Sequence, residues 1–165
     1  MSETKPIKRS EHIVKLSKDH HFTLLFCWKI RNGLKFDIEP GRIIKYVQYF
    51  WQHLMLPHFR EEETILFSPV KDGKVQRALD EHATIAGQIN ALNTSTDNAA
   101  NQLSALADAV DSHVRFEERE LFPHLEKVLT EEQLENIGKQ LAASHDSALK
   151  DDYADEFWMK NKNGL

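Results

Sequence analysis

Apolar residues recur along this chain at intervals of three and four, the period of a helix buried on one side. Ile13, Leu16, Leu24, Cys27 and Leu34 make one stripe, and Val47, Trp51, Leu54 and Ile65 a second. Val75, Leu79, Ala86 and Ile89 make a third, and Leu103, Leu106, Val110 and Leu121 a fourth. The first stripe predicts a helix from about Ser10 to Asn32, stopped at Gly33 in a left-handed cap. After the connector LKFDIEPG, Pro40 and Gly41 open a second helix to about Phe67, kinked once at Pro57. Pro69 and KDGK end it, a third helix runs from about Lys74 to Leu92, and NTSTDN is a loop. The fourth spans about Ala99 to Phe122 and continues through Pro123 to Val128. Thr130 and Gln133 form a capping box for a shorter fifth helix. Beyond it, Tyr153, Phe157 and Trp158 predict a last turn or two packed on the body. The expected fold is all-α, an up-down-up-down four-helix bundle with a short additional C-terminal helix. It is read as one domain over 1–165, the bundle at about 10–128 and the C-terminal helix and tail at 130–165.

Each stripe is interrupted by a histidine: His20, His58, His82 and His113. Two of the stripes add a glutamate one turn later, Glu62 and Glu117. These glutamates sit in a repeat, HFREEETILF at 58–67 and HVRFEERELF at 113–122, identical at six of ten positions. Residues four apart share a helix face, so both His–Glu pairs point inward. An ionised carboxylate at a core position costs several kcal/mol unless its charge is compensated. The simplest compensation is a cation. Imidazole and carboxylate without thiolate suit iron, manganese or zinc, and six donors exceed one tetrahedral site but fit a two-metal cluster. The plainer alternative is core histidines with solvated glutamates, since H-x-x-x-E arises about once by chance in such a composition. The extended repeat, the shared register and the two further histidines favour the site.

Composition narrows the function classes. A net charge of -5 gives no electrostatic reason to expect nucleic acid or an anionic membrane as partner. One cysteine excludes an internal disulfide and makes the cytoplasm the default location. No secretory h-region and no membrane-length apolar run is visible. Nine histidines are more than twice ordinary usage, and the stripes give four of them a role.

The order H, H-x-x-x-E, H, H-x-x-x-E over about residues 12–128 resembles the hemerythrin-like, or HHE cation-binding, domain family. The residues that carry the resemblance are His20 in LSKDHH, His58 and Glu62 in HFREE, His82 in DEHATI, and His113 and Glu117 in HVRFEERELFP. The resemblance implies a bundle around two non-haem iron ions, bridged by Glu62, Glu117 and an oxo or hydroxo group and capped by the four histidines. Manganese or zinc would suit the same donors. It also implies a small ligand, O2, NO or peroxide, and a role in binding, sensing or iron handling. One departure stands out. Oxygen carriers of the family have a second histidine four after the third-helix one, and here that position is Ala86. The more open coordination resembles the family's iron-sulfur repair and iron-sensing members. The repair proteins carry a cysteine-bearing N-terminal segment, which the ten or so residues before the first helix lack. A di-iron enzyme of cluster repair or of peroxide or NO detoxification, and a metal-free helical interaction module, stand as the alternatives. No catalytic acid or base is nameable beyond the donors themselves.

Neighbouring residues complete the expectations. His20 shares a stripe with Leu16, Leu24 and Cys27, whereas His21 shares a face with Ser17 and Lys18, so His20 is preferred and His21 is the second choice. Glu63 and Glu118 are turned about 140° from His58 and His113 and are expected in solvent. Glu61 and Glu81 are expected at the surface, with a supporting role open to either. His53 is a bystander, His124 caps a helix end or lines an entrance, and Cys27 is a small buried apolar residue. His12 and His145 have no assignable chemistry. The aromatic tail either covers an apolar patch or mediates self-association.

Overall fold

A computed structural model describes residues 9–94, 97–144 and 150–160, and His145 lies outside them. Among the described residues the regular structure is entirely helical. Helix α1 spans Val14–Lys35. The second rod is built from α2, Pro40–Phe50, and α3, Leu56–Glu61, each followed by a wider π-helical turn at Trp51–Met55 and Glu62–Leu66. Helix α4 spans Gly73–Ala91. The fourth rod joins α5, Ala99–Phe116, to α6, Phe122–Val128, through a π turn at Glu117–Leu121. Helix α7 follows at Glu131–Ser144. The chain forms a helical bundle of four rods with an extra C-terminal helix, and α1 packs most extensively along α5.

Local chemistry accounts for most boundaries. Pro40 sits in the first turn of α2, where its missing N–H leaves no orphan. Asp72 caps α4 by accepting the Val75 N–H at 3.0 Å. The Thr130–Gln133 capping box closes reciprocally, at 2.9 and 3.1 Å. Gly33 departs from expectation: it lies inside α1 rather than ending it. A Cβ there would come within 2.8 Å of the Phe157 ring, so this glycine makes room for the tail. The left-handed residue is Asp37, at φ 54. Pro57 and Pro123 also behave differently from a simple kink. Each stands two residues after a π turn, and the wider turn removes the i−4 pairing that a proline would break.

The core has two apolar clusters with a polar layer between them. One, including Phe26, Cys27, Ile30, Ile43, Tyr46, Phe50, Phe59, Ile85 and Val110, is closed by Phe157 and Trp158 of the tail. The other, including Ile13, Leu16, Leu66, Ala78, Phe116, Leu121 and Phe122, is closed by Leu134, Ile137 and Leu141 of α7. The stripes shift slightly from expectation. Phe26, Ala78 and Ile85 take buried positions, while Leu24, Leu79 and Ala86 are half-buried. The tail packs on the body as predicted. It is pinned by a buried ion pair, Lys29 Nζ to Asp151 Oδ2 at 2.9 Å, and that ammonium lies 4.2 Å from the Trp158 ring.

Candidate metal centre

The layer between the clusters holds His20, His58, Glu62, His82, His113 and Glu117, all at most 3% exposed and both glutamates at 0%. His20 comes from α1, His58 from α3, His82 from α4 and His113 from α5. Glu62 and Glu117 each begin a π turn. The π turns leave the Glu62 and Glu117 carbonyls bonded five residues on, to Phe67 and Phe122. Such turns cluster at functional sites because they re-aim side chains within an otherwise continuous helix.

All four imidazoles turn Nε2 inward. Glu62 Oε2 lies 3.1 Å from His58 Nε2, and Glu62 Oε1 lies 3.1 Å from His82 Nε2. Glu117 Oε1 lies 2.9 Å from His20 Nε2, and its Oε2 lies 3.2 Å from His113 Nε2. The donor atoms fall into two overlapping sets, each within 4.8 Å: His20, His58, Glu62 and Glu117, and Glu62, His82, His113 and Glu117. Each carboxylate therefore offers one oxygen to each set. His21, the second choice on α1, is exposed and outside both sets.

The outward nitrogens are held by four further carboxylates: Glu63 and Glu118, expected in solvent, Glu81, expected at the surface with a supporting role open, and Asp19, which periodicity does not single out. Glu118 Oε2 accepts from His20 Nδ1 at 2.7 Å and Asp19 Oδ2 from His58 Nδ1 at 3.0 Å. Glu63 Oε2 accepts from His82 Nδ1 at 2.6 Å and Glu81 Oε1 from His113 Nδ1 at 2.7 Å. The pattern is cyclic. The first rod straps the histidine of the second, the second that of the third, the third that of the fourth, and the fourth that of the first. Glu63 and Glu118 do turn away from the histidine of their own helix, but they turn toward the next one. These bonds assign the imidazole proton to Nδ1 and leave the Nε2 lone pair facing inward. A signal was present in the sequence: a carboxylate stands beside an inward residue at Asp19–His20, Glu62–Glu63, Glu81–His82 and Glu117–Glu118.

Lone pairs converging on lone pairs need a positive charge between them. All four oxygens of Glu62 and Glu117, with His82 Nε2 and His113 Nε2, are buried without a hydrogen-bond partner. Leaving such groups unmatched costs several kcal/mol. In the metal-free protein protons supply the compensation. Burial opposes charge on His82, but the Glu117 and Glu62 carboxylates beside its Nε2 outweigh it and raise the group to about 10. The same opposition, with Glu117 dominant, raises His113 to about 9. Burial likewise opposes the Glu117 charge, yet His113, His20 and His82 hold its carboxyl well below the usual range. A site that draws protons this strongly into a dry layer has the donor set, sign and enclosure to take cations instead. Aromatic rings complete the walls: Phe59 stacks on His82 at 3.7 Å between centroids and Phe122 on His20 at 5.4 Å.

The remaining histidines stand elsewhere. His124 Nε2 lies 2.6 Å from Asp72 Oδ2, bracing the cap of α4. His53 is exposed against Tyr49, and His12 lies 3.3 Å from Glu131. Cys27 is buried, and that burial pushes its thiol up to about 12. No helix of the described residues is long and apolar enough to cross a membrane.

Neither curated proteins nor solved structures give a match to this chain. The family model described as Hemerythrin HHE cation binding domain matches residues 11–125, most of the chain and the whole span that carries the buried His and Glu layer. The chain belongs to the hemerythrin HHE cation-binding domain family.

Proposed function

We propose that this protein holds two iron ions in the layer between its apolar clusters and uses them to bind or sense O2, NO or peroxide, or to handle iron. His20 and His58 would hold one ion and His82 and His113 the other, with Glu62 and Glu117 bridging. The observation that carries this reading is the four buried, partnerless carboxylate oxygens shared evenly between two imidazole pairs. A metal-free interaction module would bury those charges without return, and apolar residues would serve it better. When bound, such a pair supplies redox change and open coordination positions for a small ligand. The chain's own part is to hold Nε2 lone pairs inward, keep protons on the strapped Nδ1 atoms and exclude bulk water. A largely enclosed cavity of about 10 Å3, lined by Asp19, Phe22, Thr23, Phe50, Leu54 and His58, adjoins one set. That is about the smallest space that holds one water. The reading also takes the chain as one domain, since α7 and the tail close the two ends of the core, and as cytoplasmic, since a single cysteine suits a reducing compartment.

Metal analysis after iron-replete expression tests this, with optical spectroscopy. The expected result is two irons per chain and near-ultraviolet charge-transfer bands that shift on adding NO or azide. Less than one iron per chain, with no such bands, overturns it. Turnover is the second reading, because two imidazoles and two carboxylate oxygens per ion leave positions free among six. Steady-state consumption of peroxide or NO with a reductant separates it from binding.

A further inference from the structure

The two donor sets match in composition, but the straps behind them are not compensated alike. Behind His20, Glu118 also accepts from Ser17 Oγ at 2.8 Å, and Arg9 Nη2 lies 3.3 Å from its other oxygen. The Arg9 side chain is only 5% exposed, so its charge acts through protein rather than water. Behind His58, Asp19 Oδ2 lies 3.2 Å from Lys15 Nζ. On the other side, Glu81 behind His113 meets Arg77 at 3.0 Å, but that arginine is half exposed and screened. Glu63, behind His82, makes the shortest strap of the four and meets no cation among the described residues, though its side chain is 39% exposed and the most open of the four to water.

A carboxylate accepting the outer N–H raises the basicity of the inner nitrogen toward a metal. A cation or hydroxyl on the same carboxylate withdraws part of that charge. Resting on the two-ion reading above, we propose that Glu63 makes the two positions unequal, so that the His82–His113 position binds metal more tightly and fills first. Arg9 and Lys15, whose charge is shared with Glu126 at 2.8 Å and with Glu61, weaken the His20–His58 position by drawing charge from Glu118 and Asp19. Glu63 and Glu118 are positioning residues on this account, acting through His82 and His20. The pair therefore loads in order, and the position that fills second is the one whose strap is tied to Arg9.

Zn(II) alone is the probe, titrated into the apoprotein against a chromophoric chelator. Two steps are expected from ion–ion repulsion whatever the straps do, so the assignment rests on which variant moves which step. Glu63→Gln keeps an acceptor for the His82 N–H and removes only the charge. It should weaken the tighter step about tenfold, the low end for such outer partners, and leave the weaker step within a factor of two or so. Glu118→Gln should move the weaker step instead. Arg9→Gln removes the buried cation behind Glu118 and should tighten the weaker step, a sign that a merely structural role would not produce, while the screened Arg77 should matter little. The proposal is overturned if Glu63→Gln leaves the tighter step unchanged, if Glu118→Gln is the variant that moves it, or if Arg9→Gln weakens the weaker step. Failure to bind zinc at all would instead sink the two-ion reading on which it rests.

Discussion

If the layer holds two ions as proposed, Glu62 gives one oxygen to each set, and a single substitution there should cost both ions, not one. Glu62 Oε2 sits 3.1 Å from His58 Nε2 and Oε1 sits 3.1 Å from His82 Nε2. An amide in place of the carboxylate fills nearly the same space but presents one neutral oxygen where two charged ones stood. Metal binding to the folded state raises stability by about 2.7 kcal/mol per site at free metal 100 times Kd, so two sites give roughly 5 kcal/mol. For a chain of this size each kcal/mol is worth roughly 2–4 °C, which predicts a metal-induced rise in Tm of roughly 10–20 °C. Glu62→Gln should lose nearly all of that rise. His20→Ala, which touches only one set, should keep about half. Differential scanning calorimetry of apo and metal-loaded protein, with metal content measured alongside, makes the comparison. If Glu62→Gln keeps half the rise and one ion, the carboxylate does not bridge. If it keeps the full rise, the buried layer is not where metal binds.

Four further outcomes follow from the fold around the centre. Gly33→Ala drives a methyl into Phe157 at 2.8 Å and Ile43 at 2.9 Å, and should lower stability by about 1–3 kcal/mol by overpacking, with the loss read from thermal melting and earlier proteolysis of the tail. Asp72→Ala removes the cap on Val75 and the partner of His124, for about 1 kcal/mol in urea titration. The pH dependence has a definite sign: the hydrogen bond from His124, helped by the Val75 N–H, holds the Asp72 carboxyl below its usual value. Its contribution is therefore present above the unfolded carboxylate range and fades as pH falls through the lower folded value. Cys27 should stay unreacted with a thiol reagent in the native protein and react fully in denaturant, since burial holds its thiol near 12.

The repeat at 58–67 and 113–122 carries more than the two inward pairs, and what is legible in it divides along a physical line. Register on a single helix is a local property, so His20, His58, Glu62, His82, His113 and Glu117 could be placed on inward faces from periodicity. The straps are a property of pairs of helices. Glu63 and Glu118 turn away from their own histidines as the 140° offset requires, and only the neighbouring rod reveals what they meet. The π turns escape a hydropathy pattern for a related reason, because they change the turn's width without changing which residues are apolar. Gly33 was misread because its neighbour Phe157 is distant in sequence, and a glycine that admits a ring looks the same as one that ends a helix. With the neighbours known, five of the six identical positions in HFREEETILF and HVRFEERELF acquire a use. The histidine and first glutamate face the layer, and the second glutamate bonds Nδ1 on the next rod. The leucines, Leu66 and Leu121, are buried in the cluster beside α7. The closing phenylalanine lies near the same imidazole that the second glutamate holds, Phe67 at 6.1 Å from His82 and Phe122 at 5.4 Å from His20. Only the shared arginine has no part in the centre, with Arg60 exposed and Arg115 paired to Asp111. Each copy is therefore a module that donates one imidazole and one carboxylate inward and steadies one imidazole supplied by another rod. Neither copy completes a set by itself, which is the physical reason for having two.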